Sequence, residues 1–188
     1  MEKHKRVCPV SKAGGLDNPV RRWIQNPRKI LAPYVKQGMT VLDVGCGPGF
    51  FSREMARMVG DSGRVIAADL QEGMLNKLKE KIAGTELEIR IVLHKCPGDN
   101  IGLAKPVDFV LAFYMVHELP DPEAFLREIA AILKPGGHLL IVEPPFHASK
   151  AAFSEVIQKA KVAGFTLVEQ PKIFFSRTAL LRKPEASR

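Results

Sequence analysis

Val41-Leu-Asp-Val-Gly-Cys-Gly-Pro-Gly-Phe50 is the stretch that decides the fold of this 188-residue chain. A hydrophobic strand runs into three glycines, Gly45, Gly47 and Gly49, and a helical pattern follows them. Glycines in such a turn let the backbone bend sharply and approach a ligand that larger side chains would exclude. The stretch therefore predicts a nucleotide-type ligand site at the end of a buried strand.

The spacing of the glycines separates this turn from two common nucleotide sites. It reads GxGxG, with Phe50 where a dinucleotide fingerprint places its last glycine, and no Gly-Lys-Ser/Thr follows for a phosphate loop. Asp43 lies two residues before Gly45, where a carboxylate suits an ammonium group better than a pyrophosphate. A nicotinamide-dependent dehydrogenase is therefore the weakest alternative.

A second acidic residue, Asp69, ends a hydrophobic run over 64–68, about 20 residues beyond the glycines. An acid at this point can accept both ribose hydroxyls of an adenosine, as it does in dinucleotide sites. The alternative interpretation is an aspartate that caps the following helix. The glycine turn upstream favours the interpretation in which Asp69 binds a ribose.

Apolar runs and helical patterns alternate along the rest of the chain. Strands are expected at 40–44, 65–68, 87–93, 107–113, 138–142, 165–169 and 172–182, and helices at about 49–59, 71–82, 122–133 and from Ser149. The last two strands should pair as a hairpin around Gln170-Pro171. This order predicts an α/β fold: a Rossmann-like, doubly wound, mostly parallel seven-stranded sheet with an antiparallel terminal strand.

The positive charge of the chain is concentrated near its start. The net charge is +8, and residues 1–37 contribute +7 of it through nine Lys/Arg against Glu2 and Asp17. Such a basic arm could contact nucleic acid, phosphate or an anionic substrate. The alternative is a solvated leader that helps solubility.

Two Asn-Pro pairs, Asn18-Pro19 and Asn26-Pro27, each place a side-chain acceptor at a helix N-cap and proline at the first helical position. They predict a helical hairpin over 19–36 that covers the ligand site as a lid. We therefore divide the chain into a basic N-terminal arm with a helical lid, 1–37, and a main domain, 38–188.

Composition restricts the class of protein. A hydrophobic fraction of 46% and a charged fraction of 26% are typical of a globular domain. No apolar run approaches the roughly 20 residues of a membrane span, and the N-terminal charges are not followed by the apolar segment of a secretory signal. Cys8, Cys46 and Cys96 form no CxxC pair. This cysteine usage argues against a disulfide framework or a zinc ribbon and favours a cytoplasmic location.

Four motifs resemble those of the class I S-adenosylmethionine (SAM)-dependent methyltransferases, in the order and spacing of that family. They are VLDVGCGPGFFS (41–52, motif I), VIAADLQEGML (65–75, motif II), VDFVLAFYMVHELPD (107–121, strand four) and LKPGGHLLIVEP (133–144, before strand five). The resemblance covers 40–183 and is closest to the type-11 group, which is similar to the ubiquinone/menaquinone C-methyltransferases. Members of this family methylate small molecules, lipids, proteins and RNA.

The resemblance implies where SAM binds. Asp43 and the backbone of Gly45 and Gly47 would hold the methionine end, Asp69 would hold the ribose, and Phe113 would flank the methionine portion. The expected cofactor-binding set is Asp43, Gly45, Cys46, Gly47, Gly49, Phe50, Asp69, Leu70, Met74, Cys96, Pro97, Asp99 and Phe113.

The adenine end of the cofactor is less completely specified. Leu70 and Met74 would pack near the ring. Many relatives have an acidic residue after strand three that meets the adenine amino group, and here the candidates are Cys96 and Asp99. The resemblance leaves the choice between them open.

Ligands of open α/β sheets bind beyond the carboxyl ends of the strands. Tyr114, His117, Glu143 and His147 follow strands four and five and are therefore the catalytic candidates. A general base is needed only if the nucleophile arrives protonated, and the alternative for these residues is a structural role. No metal site is predicted from these side chains.

The predicted function is methyl transfer from SAM to a small, partly apolar acceptor, which Phe113, Tyr114, Phe146 and Trp23 could surround. Two alternatives are an RNA methyltransferase that uses the basic arm and a non-catalytic SAM-binding protein. The predicted partner is the small-molecule acceptor, with nucleic acid not favoured and no membrane partner. A second subunit in a homodimer could help to shape the pocket.

Overall fold

A computed structural model describes residue 10 and residues 19–98 and 100–185 of the chain. We number its strands β1 (Thr40–Val44), β2 (Arg64–Asp69), β3 (Ile91–Lys95), β4 (Val107–Phe113), β5 (Leu133–Glu143), β6 (Thr166–Glu169) and β7 (Arg177–Arg182). The helices are α1 (Pro19–Ile24), α2 (Pro27–Leu31), α3 (Ser52–Val59), α4 (Glu72–Ile82), α5 (Pro122–Ile132) and α6 (Lys150–Val162), with a 3-10 helix at Val116–Glu118.

The seven strands form one sheet in the order β3-β2-β1-β4-β5-β7-β6. The first five strands are parallel to one another, and β7 is antiparallel to both of its neighbours, β5 and β6. The predicted fold class is thus confirmed, including the antiparallel strand of the terminal hairpin. The strand order reverses between β1 and β4, so the loops after these strands diverge and leave a crevice there.

Helices cover both faces of the sheet because successive strand residues point to opposite sides. Val41 belongs to the core cluster that includes side chains of α3 and α4, whereas Leu42 belongs to the cluster on the other face that includes side chains of α5 and α6. The strands are consequently buried on both sides, which explains their continuous apolar runs.

Helix caps lie at the predicted Asn26-Pro27 pair and at a second pair of the same kind, Asp121-Pro122. The Asn26 side chain accepts a hydrogen bond from Lys29 N, and Asp121 accepts from Glu123 N and Ala124 N. Ser149 caps α6 in the same way, through Ala152 N. Asn18 lies outside the described residues.

Two predicted strands begin later than their apolar runs suggest. In the run 87–93, Leu87 is buried but lies in a turn, with Ile91 N donating to its carbonyl, so β3 starts at Ile91. In the run 172–182, Phe175 has a φ of 51°, which breaks the extended backbone, and β7 starts at Arg177. Apolar and β-branched residues predicted the two strands, and the turns before Ile91 and Arg177 determine where each strand starts.

Across the described part of the chain, none of the helices has the length and apolar character needed to cross a membrane.

Candidate functional site

A cavity of about 190 Å³ opens at the carboxyl ends of β1, β2 and β4. Ten of the residues predicted to bind the cofactor line it: Asp43, Gly45, Cys46, Gly47, Phe50, Asp69, Leu70, Met74, Cys96 and Phe113. Gly49 and Pro97 lie outside its wall, and Asp99 is not among the described residues. Of the catalytic candidates, Tyr114 lines the cavity, whereas His117, Glu143 and His147 do not.

The glycine turn after β1 forms the floor of the cavity. Gly45, Gly47 and Gly49 all have positive φ values, 68°, 54° and 82°. The amides of Gly45 and Cys46 both donate to Ala68 O at the end of β2, at 2.8 and 3.0 Å. A Cβ atom on Gly45 would lie 3.0 Å from Met115 Cβ, a tight contact, and the positive φ would strain the backbone of any other residue there.

Asp69 joins the turn to the start of the next helix. One carboxylate oxygen accepts from Gly47 N at 2.9 Å, and the other accepts from Gln71 N at 2.8 Å. Burial raises the pKa of Asp69, while these backbone donors act in the opposite direction. Each carboxylate oxygen keeps a lone pair for a further donor in the cavity.

Asp43 is fully enclosed at the end of β1. Its Oδ2 accepts a hydrogen bond from Ser52 Oγ at 2.5 Å, which ties the strand to the first residue of α3. Burial raises the pKa of Asp43 to about 7; the Ser52 hydrogen bond lowers it and the charge of Asp69 raises it further. A cationic ligand group in the cavity would favour the ionised form of this carboxyl.

The shifted pKa of Asp43 predicts a pH-dependent stability. Between about pH 4 and 7 the folded chain holds a proton on Asp43 that the unfolded chain releases, so this stabilisation is complete below pH 4 and disappears as pH rises through 7. We expect wild type to lose up to about 1.4 kcal/mol per pH unit in that range relative to Asp43→Asn. Urea unfolding of both proteins at pH 5, 6 and 7 measures this difference, and parallel pH profiles would contradict it.

Gly49 has a packing role that sequence reasoning did not anticipate. A Cβ atom there would lie 2.2 Å from Leu78 Cδ1, a fully buried side chain of α4. The third glycine therefore lets the turn pack against α4, which carries Met74 to the cavity wall.

The adenine end of the predicted site is apolar. Leu70, Met74 and Ile101 line the cavity with Phe125. Cys96 is 9% exposed, its amide donates to Asp69 O, and burial raises the pKa of its thiol to about 11. The thiol is therefore protonated at neutral pH and can act only as a weak donor or a weak acceptor.

Arg21 of α1 is a cavity residue that the motifs did not predict. Its guanidinium lies 4.5 Å from the centre of the Phe50 ring and 5.7 Å from that of Phe113, within cation–π distance of both. Its charge also acts to lower the pKa of Asp43. The sequence predicted the helix that carries Arg21, but not that this side chain faces the cavity. Within α1, Arg21 Nε donates to Gln25 Oε1 one turn later.

Tyr114 connects three distant parts of the chain at the edge of the cavity. It has a left-handed backbone, with φ of 59°. Its hydroxyl accepts from Gln25 Nε2 at 2.5 Å and lies 2.8 Å from Ser176 Oγ. Strain of this kind persists only where surrounding contacts hold it, and it concentrates at ligand sites.

Glu143, His117 and His147 form a separate cluster behind the loop after β4. The buried Glu143 carboxylate accepts from Val116 N at 2.8 Å and pairs with His117 Nδ1. Burial would lower the pKa of His117, but the hydrogen bond and charge of Glu143 offset it, so this pKa is raised. His147 stacks on His117 with ring centres 5.4 Å apart. The cluster holds the 3-10 helix that presents Glu118 to the cavity.

Two of the four aromatic residues predicted around the acceptor lie elsewhere. Phe113 and Tyr114 line the cavity, but Phe146 is 81% exposed and Trp23 is 86% exposed. Within the described residues, no group of three or more His, Cys, Asp and Glu side chains is arranged to hold a metal ion.

Known proteins share both this sequence pattern and this geometry. Residues 41–137 match the family described as "Methyltransferase domain". The structure of a SAM-dependent methyltransferase from Aquifex aeolicus is 30% identical and superimposes with a TM-score of 0.85, covering 94% of this chain and 100% of that one. The chain belongs to the SAM-dependent methyltransferases.

Two curated relatives of this chain are named as methyltransferases of quinone biosynthesis or of demethylmenaquinone. The chain is 32% identical over 110 residues to a ubiquinone/menaquinone biosynthesis C-methyltransferase from Enterobacter sp. (strain 638), covering 58% of this chain and 44% of the relative. It is also 32% identical over 125 residues to a demethylmenaquinone methyltransferase from Listeria monocytogenes serotype 4a, covering 65% and 51%. The chain thus spans about half the length of the curated relatives it matches.

Proposed function

We propose that this methyltransferase transfers the methyl group of SAM to a small, partly apolar acceptor. The observation that carries the proposal is one cavity lined both by two buried carboxylates, Asp43 and Asp69, and by two aromatic rings, Phe113 and Tyr114. Charged groups and apolar walls in one cavity match a charged cofactor and an apolar partner.

The side chains in the cavity fit the parts of SAM. Asp69 has lone pairs for ribose hydroxyls, and each such charge-assisted hydrogen bond contributes about 1.5–3 kcal/mol. Asp43 supplies a carboxylate for an ammonium group, and Arg21 supplies a cation for the carboxylate of the methionine end. Gly45 and Gly47 line the cavity without side chains, so a ligand can approach the backbone of the turn closely.

SAM, when bound, supplies an electrophilic methyl group on its sulfonium. The described residues would orient the acceptor and exclude water from it, and such positioning accounts for much of the rate in transfers of this kind. Tyr114 and Glu118 line the acceptor side and can take part in proton transfer if the nucleophile is protonated. We assign Glu143 and His117 a positioning role: they hold the loop that carries Tyr114 and Glu118.

We propose that residues 19–36, within an N-terminal region 1–37, act as a lid on the domain 38–188. Support comes from Arg21 over the Phe50 ring and from the hydrogen bond between Gln25 and Tyr114. Both contacts bring α1 against the cavity edge, where its movement would control access.

We also place the protein in the cytoplasm, because the described cysteines Cys46 and Cys96 are free, buried thiols, as a reducing compartment allows. A homodimer that completes the acceptor side is a further proposal.

A methyl-transfer assay with labelled SAM tests the acceptor class. The candidates are a reduced short-chain demethylmenaquinone, chosen from the names of the relatives, and total RNA. We expect label in the quinol. Label in RNA alone would support a role for the basic arm and contradict the proposal. SAM binding without transfer to either would favour a non-catalytic SAM-binding protein.

A further inference from the structure

Three phenylalanines form an exposed aromatic rim beside the cavity. We define this aromatic rim as Phe146, Phe174 and Phe175, which are 81%, 62% and 57% exposed. Their rings pack on one another, with centres 5.3 Å apart for Phe146 and Phe175 and 5.7 Å apart for Phe174 and Phe175. Large apolar side chains that cluster in solvent mark an interaction surface more often than scattered ones do.

The aromatic rim is continuous with the acceptor side of the cavity. The hydroxyl of Tyr114, which lines the cavity, contacts Phe175 O and Ser176 Oγ. Arg177 Nε donates to Ala148 O, which fixes the two rim segments to each other. Tyr114 and Phe175 are the two non-glycine residues with positive φ among those that the structure describes, so the local backbone is strained where they meet.

The segments that carry or adjoin the aromatic rim are basic. Residues 19–29, 144–151 and 170–178 contain seven Lys/Arg and no Asp or Glu. Of these, Lys150 and Lys172 are exposed and lie within four residues of a rim phenylalanine. Aromatic side chains among lysines and arginines are the combination that favours an anionic lipid surface, where rings insert at the headgroups and cations meet the negative potential.

We propose that the aromatic rim docks the protein on an anionic lipid surface. The proposal rests on the proposed function, because an apolar acceptor dissolved in lipid could then pass Tyr114 into the cavity without crossing water. Such a contact is interfacial and needs no spanning helix. The rings pack on one another at angles of 35° and 44°, so they present one continuous apolar patch of the kind that enters a lipid interface. Single-stranded nucleic acid, which also binds aromatic and basic side chains, is separated from lipid by the test below.

Co-sedimentation with vesicles tests the proposal without any acceptor. The vesicles contain phosphatidylcholine with about one third phosphatidylglycerol, or phosphatidylcholine alone, and the full chain is used at low and high salt. We expect binding to the anionic vesicles that salt weakens. The double variant Phe146→Ser/Phe174→Ser should bind the anionic vesicles at least about tenfold more weakly than wild type, because two exposed rings no longer enter the interface.

The matched control is Ile89→Ser/Val162→Ser, which removes two side chains that are 72% and 81% exposed in other elements. It should bind within about twofold of wild type, and SAM titration should show both double variants folded. No vesicle binding by wild type, or equal loss in both variants, would overturn the proposal. Binding of a single-stranded RNA that requires Phe146 and Phe174, without vesicle binding, would overturn it in favour of nucleic acid.

The same experiment separates this inference from the proposed function. Vesicle binding needs neither SAM nor acceptor, so it is measurable even if the quinol is not methylated. Methylation of a short-chain quinol by a protein that ignores vesicles would overturn the lipid inference alone.

Discussion

Asp69→Ala is expected to weaken SAM binding by about one hundredfold, measured by calorimetric titration. The substitution removes the two charge-assisted hydrogen bonds that we propose Asp69 makes to the ribose, each contributing about 1.5 kcal/mol or more, and 1.4 kcal/mol corresponds to a factor of ten. Asp69→Asn should fall between wild type and Asp69→Ala, because it keeps one acceptor oxygen and the shape of the side chain.

The control for this prediction must account for the backbone role of Asp69, which accepts from Gly47 N and Gln71 N. Asp121→Ala is matched to it, because Asp121 also accepts two backbone amides but lies outside the cavity. Asp121→Ala should lower the free energy of unfolding by about 1 kcal/mol and leave SAM affinity unchanged. If Asp69→Ala binds SAM as tightly as Asp121→Ala does, Asp69 does not hold the ribose.

Gly49→Ala is expected to lower the free energy of unfolding by about 2–5 kcal/mol. The new Cβ atom would overlap Leu78, which is fully buried and has little space to move, and overpacking of this kind costs about 1–3 kcal/mol. A left-handed backbone at a residue other than glycine adds about 1–2 kcal/mol. Urea denaturation measures the change.

Gly84→Ala is the matched control for that substitution. Gly84 has a similar φ of 69°, but a Cβ atom there would meet nothing within 4 Å. Gly84→Ala should therefore show only the backbone cost of about 1–2 kcal/mol. Equal destabilisation by the two substitutions would mean that the Leu78 contact contributes nothing.

Local sequence patterns were sufficient for the fold. The glycine turn at Gly45–Gly49 and the alternating apolar runs placed strands and helices in order, because buried parallel strands and amphipathic helices have different periods. Capping residues such as Asn26 and Asp121 fixed helix starts, since their side chains satisfy free amides at those positions.

Contacts between distant segments could not be read from local patterns. Arg21 reaches the Phe50 ring across the fold, and Gln25 meets Tyr114 although 89 residues separate them. The pairing of His117 with Glu143 likewise depends on the alignment of β4 and β5. Each of these interactions follows from tertiary packing, so local patterns identified the residue types but not their partners.

The direction of β7 has a practical consequence for handling the protein. Because β7 is antiparallel to β5, it starts opposite Glu143 at the cavity end and leaves the sheet opposite His138, at the other end. A fluorescent fusion or surface tether attached after β7 would therefore emerge on the side away from the cavity. A fusion attached directly before α1 would be close in the chain to Arg21, which lines the cavity, and the fused protein would obstruct the proposed binding of SAM. Immobilised assays should therefore anchor the chain through its C-terminal side.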